Sequence, residues 1–384
     1  MRKDMLAFVL AASSVGASVP CLAADDSAAE VPKPVSPEET EALKRRIESE
    51  RRSQAELLFD DHTESGDLNN RLDFRRYGFK VALRRDGTAL LASVTRTPYA
   101  TIQDLLTATA TGVTIGAERR LQDSIESRVE LGGGEATVTV HPSEKLRYSA
   151  GLARTRVEES FLTAVGIRPV AGPFAGQRVG PVMENRLEAS GSYRLPAQLD
   201  VYGEAAVGAR TGSNVESNAF RRAGAGVGYN AIVGSEDRAL SLLRLSVSVY
   251  YFGFDKDLFG YGGASLLDAS YQPVPVPALG SDGLPTVAEP GVPGVGGYFS
   301  PSRFLSRLAR VDVRGRPRPR LDYSVAFFLG RQSYTGIAPR LAAGASAEVV
   351  LRSGERVSLP VSWAWDNVGP YRQQTLQARL RAKF

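Results

Sequence analysis

Three runs of alternate residues carry the side chains best suited to grip a ligand: Arg186, Glu188, Ser190, Ser192 and Arg194; Asp200, Tyr202 and Glu204; and Tyr250, Phe252 and Phe254. A period of two places each run on one face of a strand. Flat rings can stack on the apolar face of a sugar, while carboxylates and guanidiniums bond its hydroxyls. Aromatic platforms beside charged groups are the furniture of polymer-threading grooves. For Phe252 and Phe254 a second reading stands beside this one, in which the rings pack beneath the 256–302 connection.

Catalytic chemistry has less to work with. The chain has two histidines, His62 near the leader and His141 at a turn followed by Pro142. A lipid-cleaving barrel needs Ser and His adjacent on its outer surface, and no Gly-x-Ser-x-Gly occurs. The acidic pairs Asp60-Asp61 and Glu158-Glu159 read as solvated loop charges rather than as acid/base partners. The one cysteine, Cys21, lies in a segment expected to be removed, so thiols, disulfides and a zinc site are not expected. The sequence therefore reads as a non-enzyme without metal or cofactor.

The elements that would position these residues are strands of a transmembrane barrel. The last nine residues, Leu376 to Phe384, alternate without a break, with Leu376, Ala378, Leu380, Ala382 and Phe384 on one face. Gln377, Arg379, Arg381 and Lys383 occupy the other. Such a strand closes an outer-membrane barrel, apolar face to lipid and polar face to the lumen. Phe384 is then the signal read by the barrel assembly machinery. Residues 1–23 read as a secretory signal peptide, with basic Arg2 and Lys3, an apolar run from Leu6 to Val19, and small Cys21 and Ala23 at the cleavage site. Cleavage lowers the formal charge from +5 to +4, because Arg2, Lys3 and Asp4 leave together.

Residues 24–65 read as a periplasmic leader holding a helix over 36–59, capped by Ser36 with Pro37 and Glu39 and supported by Glu41/Arg45 and Glu48/Arg52. From about residue 70 to 384 the chain reads as barrel. Period-two segments start at Tyr77/Phe79/Val81/Leu83 and recur to the terminus, fifteen in all with one at 88–97. Bacterial single-chain barrels have even strand numbers, so a sixteenth is expected, placed at 99–108. The expected fold is an all-β transmembrane, antiparallel barrel of about 16 strands, a size that leaves an aqueous channel. The long connections 158–183, 211–218, 256–302, 333–339 and 366–371 would face outside, and short turns such as 196–197 the periplasm. Tyr193, Tyr251, Tyr323, Trp363, Trp365 and Phe384 take lipid-facing parity near strand ends, where aromatic girdles form. Basic residues alternate with apolar ones rather than clustering, so nucleic acid is not an expected partner.

Several segments resemble the C-terminal barrel of cellulose synthase operon protein C, the outer-membrane exporter family of bacterial cellulose. They are Tyr250-Tyr251-Phe252-Gly253-Phe254-Asp255-Lys256 and Gly296-Gly297-Tyr298-Phe299-Ser300-Pro301-Ser302-Arg303-Phe304, with Thr211 to Asn218, Glu159 to Leu162, Gly176-Gln177-Arg178 and Val182 collinear. Order and spacing agree over roughly 70–384. The resemblance implies an outer-membrane channel that exports a linear exopolysaccharide, cellulose or a related β-glucan. That family carries a long array of tetratricopeptide repeats, and no 34-residue period is present here. A separate periplasmic repeat protein, or the inner-membrane cellulose synthase itself, is therefore the expected partner, besides outer-membrane lipid and the polysaccharide chain. The 256–302 loop, with its Pro-rich 258–296 insertion and glycine hinges at 260, 262, 263 and 294–297, would form an external lid. The other readings are a general diffusion porin, and a structural barrel that anchors a periplasmic partner through the 36–59 helix.

Overall fold

Alternation is the local cause of the fold, because strands that are apolar on one face and polar on the other are satisfied in a closed barrel between lipid and a polar lumen. A computed structural model describes residues 52–65, 72–85, 88–100, 107–122, 125–131, 134–140, 143, 145–169, 174–235, 238–258, 264–265, 286–287, 289–290, 298–369 and 372–384. Sixteen antiparallel strands close into one barrel, each paired with its neighbour in sequence and the last with the first. They are β1 (Gln54–Ser65), β2 (Asp73–Arg85), β3 (Thr88–Ala100), β4 (Thr107–Gln122), β5 (Ile125–Leu131), β6 (Glu135–Val140), β7 (Leu146–Arg156) and β8 (Val182–Arg194). There follow β9 (Leu199–Gly212), β10 (Val215–Val233), β11 (Leu242–Phe254), β12 (Phe304–Arg318), β13 (Leu321–Tyr334), β14 (Ile337–Ser353), β15 (Val357–Asp366) and β16 (Arg372–Lys383).

All fifteen expected segments are barrel strands, but the sixteenth is not at 99–108. Of those positions 99–100 end β3, 107–108 begin β4 and 101–106 lie outside the described residues; the missing strand is β1. It pairs with β16 along its whole length, Leu57 opposite Leu380 and Ser65 opposite Arg372. The helix expected over 36–59 is therefore wrong at its C-terminal end: Gln54 to Phe59 are strand. The barrel begins at 54 rather than 70, and His62 lies in β1. Residues 36–51 of that helix, and the signal peptide, lie outside the described residues.

Both ends of the barrel chain meet, with the Phe384 amide donating to the Ser53 carbonyl at 2.9 Å. Connections alternate between a long-loop end, which includes 157–181 and 255–303, and a short-turn end. In an outer-membrane barrel the long-loop end faces outward. Apolar side chains such as Leu57, Leu90, Ile115, Leu152, Val247, Phe327 and Leu341 stand exposed on the outer wall, with Tyr193, Trp363 and Phe384 at its borders. No described helix is long and apolar enough to cross a membrane; the strands do so instead. The packed core sits inside the long-loop mouth, around α1 (Phe161–Ala164).

A polar, ring-lined lumen as the candidate functional site

The wet half of the lumen is built around three glycines. On β10 the lumen-facing positions 224, 226 and 228 are all Gly, so this strand presents no side chains over three rows. Its neighbours lean across the gap. Register places Tyr202 of β9 and Ser248 of β11 on either side of Gly226, and Glu204 and Tyr250 on either side of Gly224. A Cβ at Gly226 would collide with the Tyr202 ring, and one at Gly224 would sit 3.1 Å from Tyr250 Cδ2. The end of the Tyr202 ring therefore lies over Gly226 and the edge of the Tyr250 ring beside Gly224, so that aromatic side chains occupy the space the bare glycines leave in the sheet.

Charged groups frame the rings. Arg244 of β11 spans Gly228 to donate to Asp200 at 2.5 Å, and its guanidinium stands 5.4 Å from the Tyr202 ring centre. The Asn230 amide also reaches Asp200, at 3.4 Å. A cavity of about 390 Å³ lies against Tyr202, Glu204, Tyr250, Arg147, Ser190 and Ser192. A second, of about 990 Å³, extends to the short-turn end past Arg194, Asp200, Arg244 and Arg314. Arg147, Ser192 and Tyr202 line both, so the two form one cleft. Hydroxyls, guanidiniums, carboxylates and two rings thus line one side of the lumen.

Arg186 lies one step nearer the mouth, held by Glu188 at 2.7 Å, Thr155 at 3.2 Å and Glu184 at 3.4 Å. It braces the wall rather than pointing into the cleft.

The mouth is different. Glu158 accepts two hydrogen bonds from Arg76 of β2, at 2.6 and 2.7 Å, and one from the Tyr99 hydroxyl of β3 at 2.5 Å. The next residue, Glu159, pairs with Arg210 of β9 at 2.8 Å. β2 and β9 are seven strands apart in a closed ring of sixteen, so these adjacent carboxylates tie nearly opposite walls. The chain must cross the mouth between them. Beyond them Ser160 caps α1, and Phe161, Leu162, Ala164, Val165 and Ile167 are buried with Leu72, Phe74, Tyr99, Phe220 and Phe254. Glu158-Glu159 and Asp60, which is 5% exposed and 3.8 Å from Arg76, are structural anchors and not the solvated loop charges their sequence suggested.

Phe254 and Phe252 belong to this core. Phe254 is 6% exposed, against Tyr298, Phe220 and the Arg210 guanidinium. Phe252 stacks on Phe304 at 4.5 Å and meets Phe299 edge-on. Of the two readings for these rings, packing beneath the loop is the one realised, so neither offers a lumen face.

The Tyr298 to Pro301 motif holds that loop in place. Tyr298 is 1% exposed under Arg210, and burial pushes its phenol up to about 12. The Phe299 amide donates to Glu159 at 2.8 Å, the Ser300 hydroxyl accepts from the Leu258 amide at 2.6 Å, and the Pro301 carbonyl accepts from the Phe254 amide at 3.0 Å. The Asp255 amide donates to the Ala219 carbonyl, and Lys256 pairs with Glu216 while its backbone is clasped by Asn218. Gly297 and the proposed glycine hinges lie outside the described residues. Thr286–Val287 pairs in parallel with Arg168–Pro169, so the 256–302 connection also touches the segment that crosses the mouth.

The expected residues therefore separate. Asp200, Tyr202, Glu204, Tyr250 and Arg194 line one cleft, Arg186 braces it, and Phe252 and Phe254 with the family motif build the mouth. Arg244 escaped the sequence reading although it shares inward parity with Tyr250; Arg147 and Ser248 escaped likewise. Among the described residues no His, Cys, Asp and Glu cluster could hold a metal ion.

The family described as cellulose synthase operon protein C C-terminus matches residues 110–263. The match runs from within β4 through β11, including the segment crossing the mouth, and it stops before Tyr298. No curated protein matches the chain. Among solved structures, a bacterial polysaccharide outer membrane secretin aligns at a TM-score of 0.57 and 11% identity, over 86% of this chain and 98% of that one. The translocator domain of autotransporter NalP from Neisseria meningitidis aligns at 0.35 and 10% over 90% and 96%, and outer membrane protein opdK from Pseudomonas aeruginosa at 0.39 and 11% over 86% and 98%. The chain is thus an outer-membrane β-barrel whose residues 110–263 are similar to the C-terminal region of cellulose synthase operon protein C.

Proposed function

We propose that this barrel is a channel through which a linear exopolysaccharide, cellulose or a related β-glucan, crosses the outer membrane. The observation that carries this reading is the pair of rings, Tyr202 and Tyr250, set against Gly226 and Gly224 inside a polar cleft. A β-glucan is a ribbon with apolar faces and hydroxylated edges. Flat rings meet the faces, and Asp200, Glu204, Arg244 and Arg194 meet the edges with hydrogen bonds that exchange easily for water. A conduit needs such contacts to be numerous and individually weak, because the polymer must keep moving. The match to the cellulose synthase operon family supports the same substrate class. A general diffusion porin has no need of rings seated on glycines.

Transport requires the segment held by Glu158 and Glu159 to swing aside, with the Tyr298 to Pro301 clamp as its counterpart on the other loop. On this reading the segment and the clamp together close the outer mouth. Purified barrel in a planar bilayer provides the test. Cello-oligosaccharides added on the short-turn side should produce discrete current blocks, and these should weaken several-fold in Tyr202→Ala/Tyr250→Ala. Equal blocking by α-linked malto-oligosaccharides, in both wild type and variant, would favour the porin instead.

A further inference from the structure

The outer wall at β11 to β13 carries a feature that transport does not use. Arg307 of β12 and Arg331 of β13 are directly opposite each other in the ladder, both on the lipid-facing side. Like charges facing across a strand pair repel. Both guanidiniums are exposed, neither has a side-chain partner among the described residues, and Arg303 stands exposed one residue before β12. Elsewhere on the same surface the protein does supply a counter-charge: Arg75 is paired with Asp61 across β1 and β2 at 3.3 Å.

Position narrows the missing anion. Arg331 is eight residues from Tyr323 at the short-turn border, which at ~3.3 Å per residue and a tilt of ~40° is roughly 20 Å along the membrane normal. That places the pair at the outer edge of the ~25 Å apolar band, one row inside Tyr251 and Leu305. Directly beneath, Ala309 lies between Val247 and Leu329 in the register. Its small side chain opens a lipid-facing groove of about 510 Å³ lined by Val247, Leu245, Ala309, Val311, Phe327 and Leu329. A cationic pair sits at the head of the groove, and the groove is apolar along its length.

We propose that this surface binds a phosphorylated glycolipid of the outer leaflet, Arg307 and Arg331 sharing its phosphate and the Ala309 groove taking an acyl chain. Guanidiniums pair with phosphate through two parallel hydrogen bonds, and a shared dianion converts the repulsion between the arginines into attraction. The height of the pair favours a lipid headgroup over a soluble anion, and the outer location favours the glycolipid over inner-leaflet phospholipid.

The test is native mass spectrometry of the full barrel in detergent, with three probes: diphosphorylated lipid A, its dephosphorylated form, and cardiolipin. Wild type should retain diphosphorylated lipid A at least tenfold better than either other lipid. Arg307→Gln/Arg331→Gln should lose that preference. Ala309→Phe should weaken retention of all acylated probes several-fold while keeping the preference for phosphate. Arg119→Gln, which removes a lipid-facing charge near the other end, should change nothing. Heat-modifiable migration on gels verifies that each variant is a folded barrel. Undiminished retention by the double arginine variant, or equal retention of cardiolipin, would overturn the assignment.

Discussion

On β11, Phe254 and Phe252 share parity and ring chemistry with Tyr250 one row further in, yet they belong to two different environments. The Phe pair lies in the dry mouth, pressed by Tyr298, Phe299 and Phe304. Tyr250 faces the wet cleft beside Glu204 and the bare backbone of Gly224. The boundary is set by what lies opposite. Where loops return over the lumen, rings find rings and charges find buried partners; where β10 offers only glycine, rings occupy the space left free and line the cleft. An inward aromatic is thus a structural residue or a contact residue according to its depth, and the lumen divides into a gate and a binding wall.

The largest effect expected from breaking this division is at the mouth. Glu158→Gln/Glu159→Gln leaves Arg76 only the more distant Asp60 at 3.8 Å and Arg210 only Glu184 at 3.0 Å, at a cost of about 2 kcal/mol once partial exposure is allowed for. A shift of that size changes the ratio of closed to open mouth roughly thirtyfold, so single-channel recordings should show frequent long openings. A conductance trace identical to wild type would mean that the mouth is held by apolar packing alone.

Gly226→Val should do the opposite. It forces the Tyr202 ring off the wall and into the cleft, and should lower glucan export by about tenfold, the equivalent of ~1.4 kcal/mol. Small-ion current should fall far less. Tyr202→Ala and Tyr250→Ala should each weaken cello-oligosaccharide block by about fivefold, or ~1 kcal/mol, typical of one lost ring contact. Small ions should pass as before. Smallest is Phe252→Leu, a loss of packing worth about 1 kcal/mol that should add flicker to the closed state and leave oligosaccharide block unchanged. If Phe252→Leu weakens block as strongly as Tyr250→Ala, the two regions are one.

Much of this was legible beforehand, and the exceptions have physical causes. Fifteen strands announce themselves because lipid and water impose opposite demands on successive residues. β1 hides because its inward side includes Leu58 between outward Leu57 and Phe59, so an apolar run replaces the alternation. The charge spacing of Glu41/Arg45 and Glu48/Arg52 also reads as a helix that would run on into it. One practical consequence is that truncation through Phe59 removes the closing strand, so a test of the leader must stop before Gln54. Asp200, Tyr202, Glu204 and Tyr250 were legible from parity. That Glu158 and Glu159 are anchors was not, since their partners lie 82 residues upstream and 51 downstream, at Arg76 and Arg210. Parity also says nothing about depth, which is why Phe252 and Phe254 were grouped with Tyr250.

The central claim is that glucan passes along the wall made by Tyr202 and Tyr250. The most direct measurement is cellulase-digestible glucan outside the cell, in a host lacking this chain and complemented with wild type or Tyr202→Ala/Tyr250→Ala. Deletion should abolish external glucan while synthase activity persists in membranes, wild type should restore it, and the double variant should restore a small fraction at equal barrel abundance. External glucan that is unchanged by deletion would contradict the claim and leave the barrel to other solutes.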